Sequence, residues 1–177
     1  MFRKASARDI AAIAEIYDLI HTLEEAGPRQ VGWIRSIYPT QATARQAVEA
    51  GEMYVMEKDG AVVAAGKINK EQMPAYGEVD WEYEAAEEQV MVLHTLVVSP
   101  KERGKGYGSG FVAEYEAMAL RSGCPVLRID TNAINTTARK MYKKLGYREA
   151  GVVPCVFCGI PDVELVCLEK RLMQHQM

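Results

Sequence analysis

Arg103-x-x-Gly106-x-Gly108 is the spacing in this chain that most directly implies chemistry. It follows a nearly unbroken apolar run, Val90–Val98, and precedes a segment with Phe111, Val112, Tyr115, Met118 and Ala119 at helical spacing. Buried strand, glycine loop and helix, in that order, make an anion cradle. Glycine allows positive φ and close backbone approach, and the first free N–H groups of a helix attract negative charge. Arg103 and Lys105 add cations beside them. The dinucleotide spacing GxGxxG fails in both registers, because Gly104-x-Gly106 leads to Ser109 and Gly106-x-Gly108 leads to Phe111. A P-loop fails too, since no Gly-Lys-Ser/Thr follows at the required gap.

Other reactive side chains flank that loop. His94 sits inside the apolar run, and an ordinary imidazole suits proton transfer near neutrality; a lone strand histidine is also commonly held by one structural hydrogen bond. Asp130 ends the next apolar stretch, placed either to orient a substrate amine or to pair with Arg128 or Arg139. Glu78, Asp80, Glu82, Glu84, Glu87 and Glu88 form a run without Lys or Arg, interleaved with Tyr76, Trp81 and Tyr83. Such a segment is either a solvated acidic loop or a wall that draws in a cationic amine, with Asp80 and Trp81 as candidate substrate contacts. Cys155-x-x-Cys158 has redox or zinc spacing but no second ligand pair, so it reads as packing and no metal is expected.

The elements that must position these residues can be read in order. Phe2–Ala5 reads as an edge strand, and Ser6 with Asp9 as the entry to a helix carrying Ile10, Ile13, Ile16, Tyr17 and Ile20, ended by Gly27-Pro28. Glu24 and Glu25 oppose the dipole at its end, a minor cost. Thr40 caps a second helix over 41–50. Asp59-Gly60 joins Glu52–Glu57 to Ala61–Ile68 as an antiparallel hairpin. After the glycine loop and its helix come a strand over 125–131, parallel by the crossover rule, and a helix over 136–145. Two last strands, 147–153 and 163–169, flank a loop over 154–162. At 177 residues, with 49% hydrophobic and 25% charged residues, the chain reads as a single globular domain over 1–177. A net charge of −3 argues against nucleic acid as a partner. The charged start and the lack of a long apolar stretch argue against secretion and membrane insertion, giving a cytoplasmic expectation.

A second motif stands downstream of the glycine loop: Asn135-x-x-Ala138-x-x-x-Tyr142-x-x-x-Gly146-Tyr147. The two motifs together, in this order of elements, resemble the GNAT superfamily of N-acetyltransferases, from Phe2 to about residue 172 and most weakly over 69–89. The resemblance implies an α/β (α+β) fold with a mixed, mostly antiparallel sheet of about seven strands. Helices would cover both faces, and the fourth and fifth strands would splay apart. It implies acetyl-CoA as co-substrate, an amine acceptor as partner, and direct transfer in a ternary complex. Leu96, Val97 and Val98 would lend backbone groups beside the thioester, and Arg103, Gly104, Lys105, Gly106, Tyr107, Gly108 and Ser109 would wrap the pyrophosphate. Asn135 would contact the cofactor arm, and Tyr142 would protonate the leaving thiolate. His94 and Asp130 are candidates for the base, with Glu78, Asp80, Glu82 and Glu88 behind them. A water relay would do without any single base. Trp33 and Tyr38 fall where the family covers its acceptor site, and homodimers occur in the family. A non-catalytic CoA-binding module is the alternative on the same fold. A dinucleotide oxidoreductase fits the place of Asp130 but not the glycine spacing or the preceding antiparallel strands.

Overall fold

Ser6 N–H donates to Asp9 Oδ2 at 2.8 Å, and this reciprocal cap starts the first helix as the sequence predicts. The computed structural model describes residues 1–173; the last residues of the expected domain, 174–177, lie outside the described residues. The strands are β1 (Phe2–Lys4), β2 (Met53–Lys58), β3 (Ala61–Asn69), β4 (Val90–Val98), β5 (Val126–Asn132), β6 (Arg148–Phe157) and β7 (Ile160–Arg171). The helices are α1 (Ile10–Ala26), α2 (Gln41–Glu49), α3 (Tyr107–Arg121) and α4 (Thr136–Lys144). One sheet takes the order β1-β2-β3-β4-β5-β7-β6, antiparallel throughout except for β4–β5.

Strand alternation decides which face each residue serves. Met91 and Leu93 of β4 and Leu127 and Ile129 of β5 pack with Phe111, Val112 and Tyr115 of α3 and Tyr142 of α4. On the other face Val55, Ala65 and Val97 meet Ile13, Ile16 and Tyr17 of α1 and Ala44 and Ala47 of α2. Toward β6 no described helix covers that second face. Tyr76, Val79, Trp81 and Tyr83 cover it instead, from a strap that joins β3 to β4 through short 3-10 turns.

The pair β4–β5 holds only from Val90–Leu93 against Val126–Ile129. Beyond it the strands part. On β4 the steps from His94 to Val97 face the shorter stretch Ala65–Lys67 of β3, a bulge at which Thr95 adopts φ 52°. The bulge bends β4 away, while β5 continues on β7 as far as Asn132 opposite Leu165. A wedge opens between the two free ends.

Two expectations need correction. The strands read as 147–153 and 163–169 run on to a tight turn, so that β6 reaches Phe157 and β7 begins at Ile160. Cys158 at φ 47° and Gly159 at φ 85° make the two-residue hairpin turn. Pro154 is tolerated because β6 is an edge strand, and Pro161 because this part of β7 pairs with β6 alone. Glu24 does not simply oppose the helix dipole. Its buried carboxylate accepts the N–H groups of Gln30 (2.9 Å), Val31 (3.1 Å) and Gly32 (2.6 Å), and so folds the following loop back over the end of α1.

Candidate active site

Gly106 stands at φ 83°, a conformation that glycine adopts without strain, and it turns the chain from the Pro100–Arg103 bend into α3. The first turn of α3 therefore points its free N–H groups into a cleft of about 420 Å³. Arg103, Gly104, Gly106, Tyr107, Gly108 and Ser109 line that cleft, with Leu96, Val97 and Val98 along one side and α4 along the other. A Cβ on Gly108 would lie 3.0 Å from Met141 Sδ, so glycine is what lets α3 and α4 approach across the cleft floor. Lys105 turns aside to Glu102 at 2.9 Å and is not part of the lining. The cleft offers backbone donors and an arginine at one end and apolar walls along its length. These suit the diphosphate and the extended arm of a CoA thioester.

At the wedge the cleft meets a smaller inner chamber of about 60 Å³. Val31, Trp33, Leu96, Asn135, Ala138 and Tyr142 line both spaces. Asn135 caps α4 by accepting the N–H of Ala138 with Oδ1 at 3.1 Å, which leaves its amide donors for the cleft. Tyr142 is buried, and no hydrogen bond from its hydroxyl is seen among the described residues. Burial and the nearby Asp130 carboxylate hold its phenol well above the ordinary pKa, so it keeps its proton. Tyr38 closes the far wall, bonded to the Thr95 hydroxyl and edge-on to both Trp33 and Phe157.

Asp130 faces this chamber from the part of β5 that has parted from β4 and pairs with β7 alone. Burial pushes its carboxyl up to about 6, against the lowering effect of the Tyr76 hydroxyl, which donates to Oδ2 at 2.6 Å. Neither arginine considered from sequence reaches it. Arg139 holds Glu149 at 2.7 Å, while Arg128 bonds Gln72 and lies 4.1 Å over the ring of Trp81. Among the described residues Asp130 makes no ion pair.

A glycine loop at a helix N-terminus, a splayed parallel pair and a tyrosine lining both cleft and chamber follow the order of the two sequence motifs. The sequence matches the Acetyltransferase (GNAT) family over residues 12–147. The chain belongs to the GNAT family. Solved structures share the fold. A GNAT-family acetyltransferase from Streptococcus agalactiae superposes with a TM-score of 0.80 at 19% identity, over 98% of this chain and 96% of its own. A structure from Salmonella typhimurium solved with its cofactor acetyl-CoA gives 0.70 at 20% identity, over 100% and 96%. A ribosomal-protein-alanine N-acetyltransferase from Brucella melitensis gives 0.71 at 19%, over 97% and 99%.

Within this GNAT frame the remaining candidates separate. His94 lies on the opposite side of Tyr38 and Thr95, in a neighbouring cavity of about 480 Å³ with Lys67, Glu71 and Cys158. Its Nε2–H donates to Asn69 Oδ1 at 2.8 Å, and burial beside Lys67 lowers its pKa to about 4. Trp33 and Tyr38 line the chamber; Asp80 and Trp81 do not. Asp80 is exposed, and Trp81 packs edge-on to Tyr76 and donates its Nε1–H to Tyr76 O at 3.0 Å. Glu82 pairs with Arg148 at 3.0 Å, and Glu78 and Glu88 are exposed away from the chamber. Cys155 is half-buried and Cys158 exposed at the hairpin turn, both free thiols. Thr95 and Phe157 are contributors that sequence reasoning does not single out as site residues, and Tyr76, named there only among the aromatics of the acidic segment, bonds Asp130 instead. Thr95, a hydroxyl inside an apolar run, was the one visible signal among them. No described helix is long and apolar enough to cross a membrane.

Proposed function

We propose that this GNAT protein is an acetyl-CoA-dependent N-acetyltransferase whose acceptor is a primary amine on a small molecule or on a peptide or lysine side chain. The observation that carries the proposal is Asp130: a carboxylate without a cation among the described residues, facing the chamber that Tyr142 shares with the cleft. An incoming ammonium supplies the missing charge. The chamber lining contains no Lys or Arg among the described residues, so the carbon beside the reacting nitrogen is expected to carry no carboxylate or phosphate.

Acetyl-CoA, when bound, supplies the acetyl carbon that the amine attacks, and it leaves as the free thiol. Asp130 takes one proton from the ammonium at Oδ1, since Tyr76 occupies Oδ2. The edge of β4 that lost β5 as a neighbour offers backbone donors toward the developing oxyanion. Tyr142 gives its phenolic proton to the departing sulfur, and the second proton lost by the nitrogen restores it. Asp130 then releases its proton to solvent. A carboxyl near 6 is well matched to that cycle at neutral pH.

Thermal unfolding with acetyl-CoA, CoA and NAD, followed by thiol release over a panel of amines, tests the proposal. A rise in midpoint with both CoA species, together with amine-dependent thiol release, is the expected result. A ligand that binds only the folded state stabilises it by about 2.7 kcal/mol at a hundredfold excess over Kd. Stabilisation without release from any amine would instead make the protein a CoA-binding module. No shift with either CoA species would overturn the cleft assignment.

A further inference from the structure

The strap between β3 and β4 has an internal order that its acidic sequence conceals. Arg128 and Asp130 sit two apart on β5 and so project to the same face. A cation and a carboxylate so placed are natural partners, yet they do not pair. The strap stands between them. Trp81 offers its ring to Arg128 at 4.1 Å and Gln72 accepts a hydrogen bond from the guanidinium, while Tyr76 donates to Asp130 Oδ2 at 2.6 Å. Trp81 and Tyr76 are locked to one another, edge-on with centroids 5.3 Å apart, by the bond from Trp81 Nε1–H to Tyr76 O. Immediately beyond Trp81, the strap is fastened to the sheet. Glu169, fully buried on β7, accepts the N–H of Glu82 at 2.9 Å and of Tyr83 at 3.2 Å, and also binds Arg148.

We propose that this strap is the positioning device of the active-site carboxylate: Tyr76 fixes the Asp130 side chain with Oδ1 free for the substrate, and Trp81 keeps Arg128 from neutralising it. The inference rests on the reading of Asp130 as the proton acceptor. The other groups around Asp130 are consistent with it. Tyr38 faces it from the loop before α2, Tyr142 from α4, Cys155 from β6, Cys158 from the hairpin turn, and Cys167 from β7. All are neutral acids near pH 7, and none is a cation. Tyr76 and Trp81 are positioning residues rather than catalytic ones, because neither lines the chamber.

The two residues act in opposite directions, which gives the test its sign. Removing the Tyr76 hydroxyl takes away a donor that favours the charged carboxylate, so in Tyr76→Phe the acid limb of kcat/KM moves up by about 1 pH unit. Trp81→Leu releases Arg128 toward Asp130, so the limb moves down by a similar ~1 unit. Adding Arg128→Gln to Trp81→Leu returns the limb to its original place, and Arg128→Gln alone leaves it there. The profiles are measured on the full chain with an amine that supports turnover, alongside Asp130→Asn. Should Tyr76→Phe fail to fold, the Trp81 and Arg128 variants decide the question. Loss of the limb in Asp130→Asn, with the strap variants superimposing on the parent profile, would overturn the positioning role and leave the Asp130 reading intact. Persistence of the limb in Asp130→Asn would remove that reading and this inference with it.

Discussion

A Cβ placed on Gly32 would lie 2.4 Å from Nδ2 of Asn132, so the loop that Glu24 folds over the end of α1 rests on the Asn132 side chain at the end of β5, which would have to shift to admit it. That contact roofs the inner chamber, which both residues line. Gly32 also stands at φ 77°, where an L side chain is strained. Gly32→Ala is therefore expected to cost about 1–2 kcal/mol, a fall in Tm of roughly 2–8 °C. It should also raise KM for the amine more than KM for acetyl-CoA. A variant with the parent's Tm and both KM values unchanged would show that the loop does not sit on Asn132 in solution.

Asp130 gives a prediction in which stability and activity part company. Its folded pKa of about 6 lies above the ordinary carboxylate value. Between those two values the folded protein binds more protons than the unfolded chain, so ionising Asp130 destabilises the fold as pH rises through that window. Above pH 6 the cost is fully present, roughly 1–3 kcal/mol. Asp130→Asn removes it while keeping an oxygen for the Tyr76 hydroxyl. The variant should unfold at a higher temperature than the parent at pH 7.5, show no such difference at pH 4, and lose about 10²–10⁴-fold in kcat/KM. Equal melting temperatures at pH 7.5 would count against a strained, uncompensated carboxylate.

Much of this was legible in the sequence, for identifiable reasons. Asp59-Gly60, Ser6 with Asp9, Thr40 and the Arg103–Gly108 loop act through local backbone preferences, and each appears where the residues place it. The wedge was legible only through resemblance, because a bulge at Thr95 leaves a composition no different from that of a straight strand. The strap was not legible. Its carboxylates dominate the composition and point to solvent, while what it does depends on Tyr76, Trp81 and Glu169, which meet across long stretches of chain. The hairpin of β6 and β7 was misread because its prolines look like breakers, and only the sheet order reveals that their missing donors face no neighbour.

His94 and Asp130 were both candidates for the base, and their surroundings predict opposite kinetics. His94 is held neutral, with its pKa lowered to about 4, and is separated from the chamber by Tyr38 and Thr95. His94→Gln keeps a donor for Asn69 and should leave the acid limb of kcat/KM near pH 6, where the proposed role of Asp130 puts it. A change in KM for the amine is compatible with the neighbouring cavity. If His94 were the base, the parent limb would lie near pH 4 and would vanish in this variant.

Tyr142 reaches its place because Asn135 caps α4 and Gly108 lets that helix close on α3, so its hydroxyl stands between cleft and chamber with no partner among the described residues. Tyr142→Phe removes one oxygen and keeps the ring that packs against Tyr147 at 5.7 Å. The melting temperature and its rise with acetyl-CoA should thus change little. Loss of a general acid typically costs about 10²–10⁴-fold, and the whole deficit should fall on kcat. On the proposed role, in which the phenol spares the sulfur from leaving as a bare thiolate, the deficit should shrink with an acyl donor whose thiol has a lower pKa than CoA. A loss of the same size with both donors would place Tyr142 among the packing residues and leave the departing sulfur to solvent.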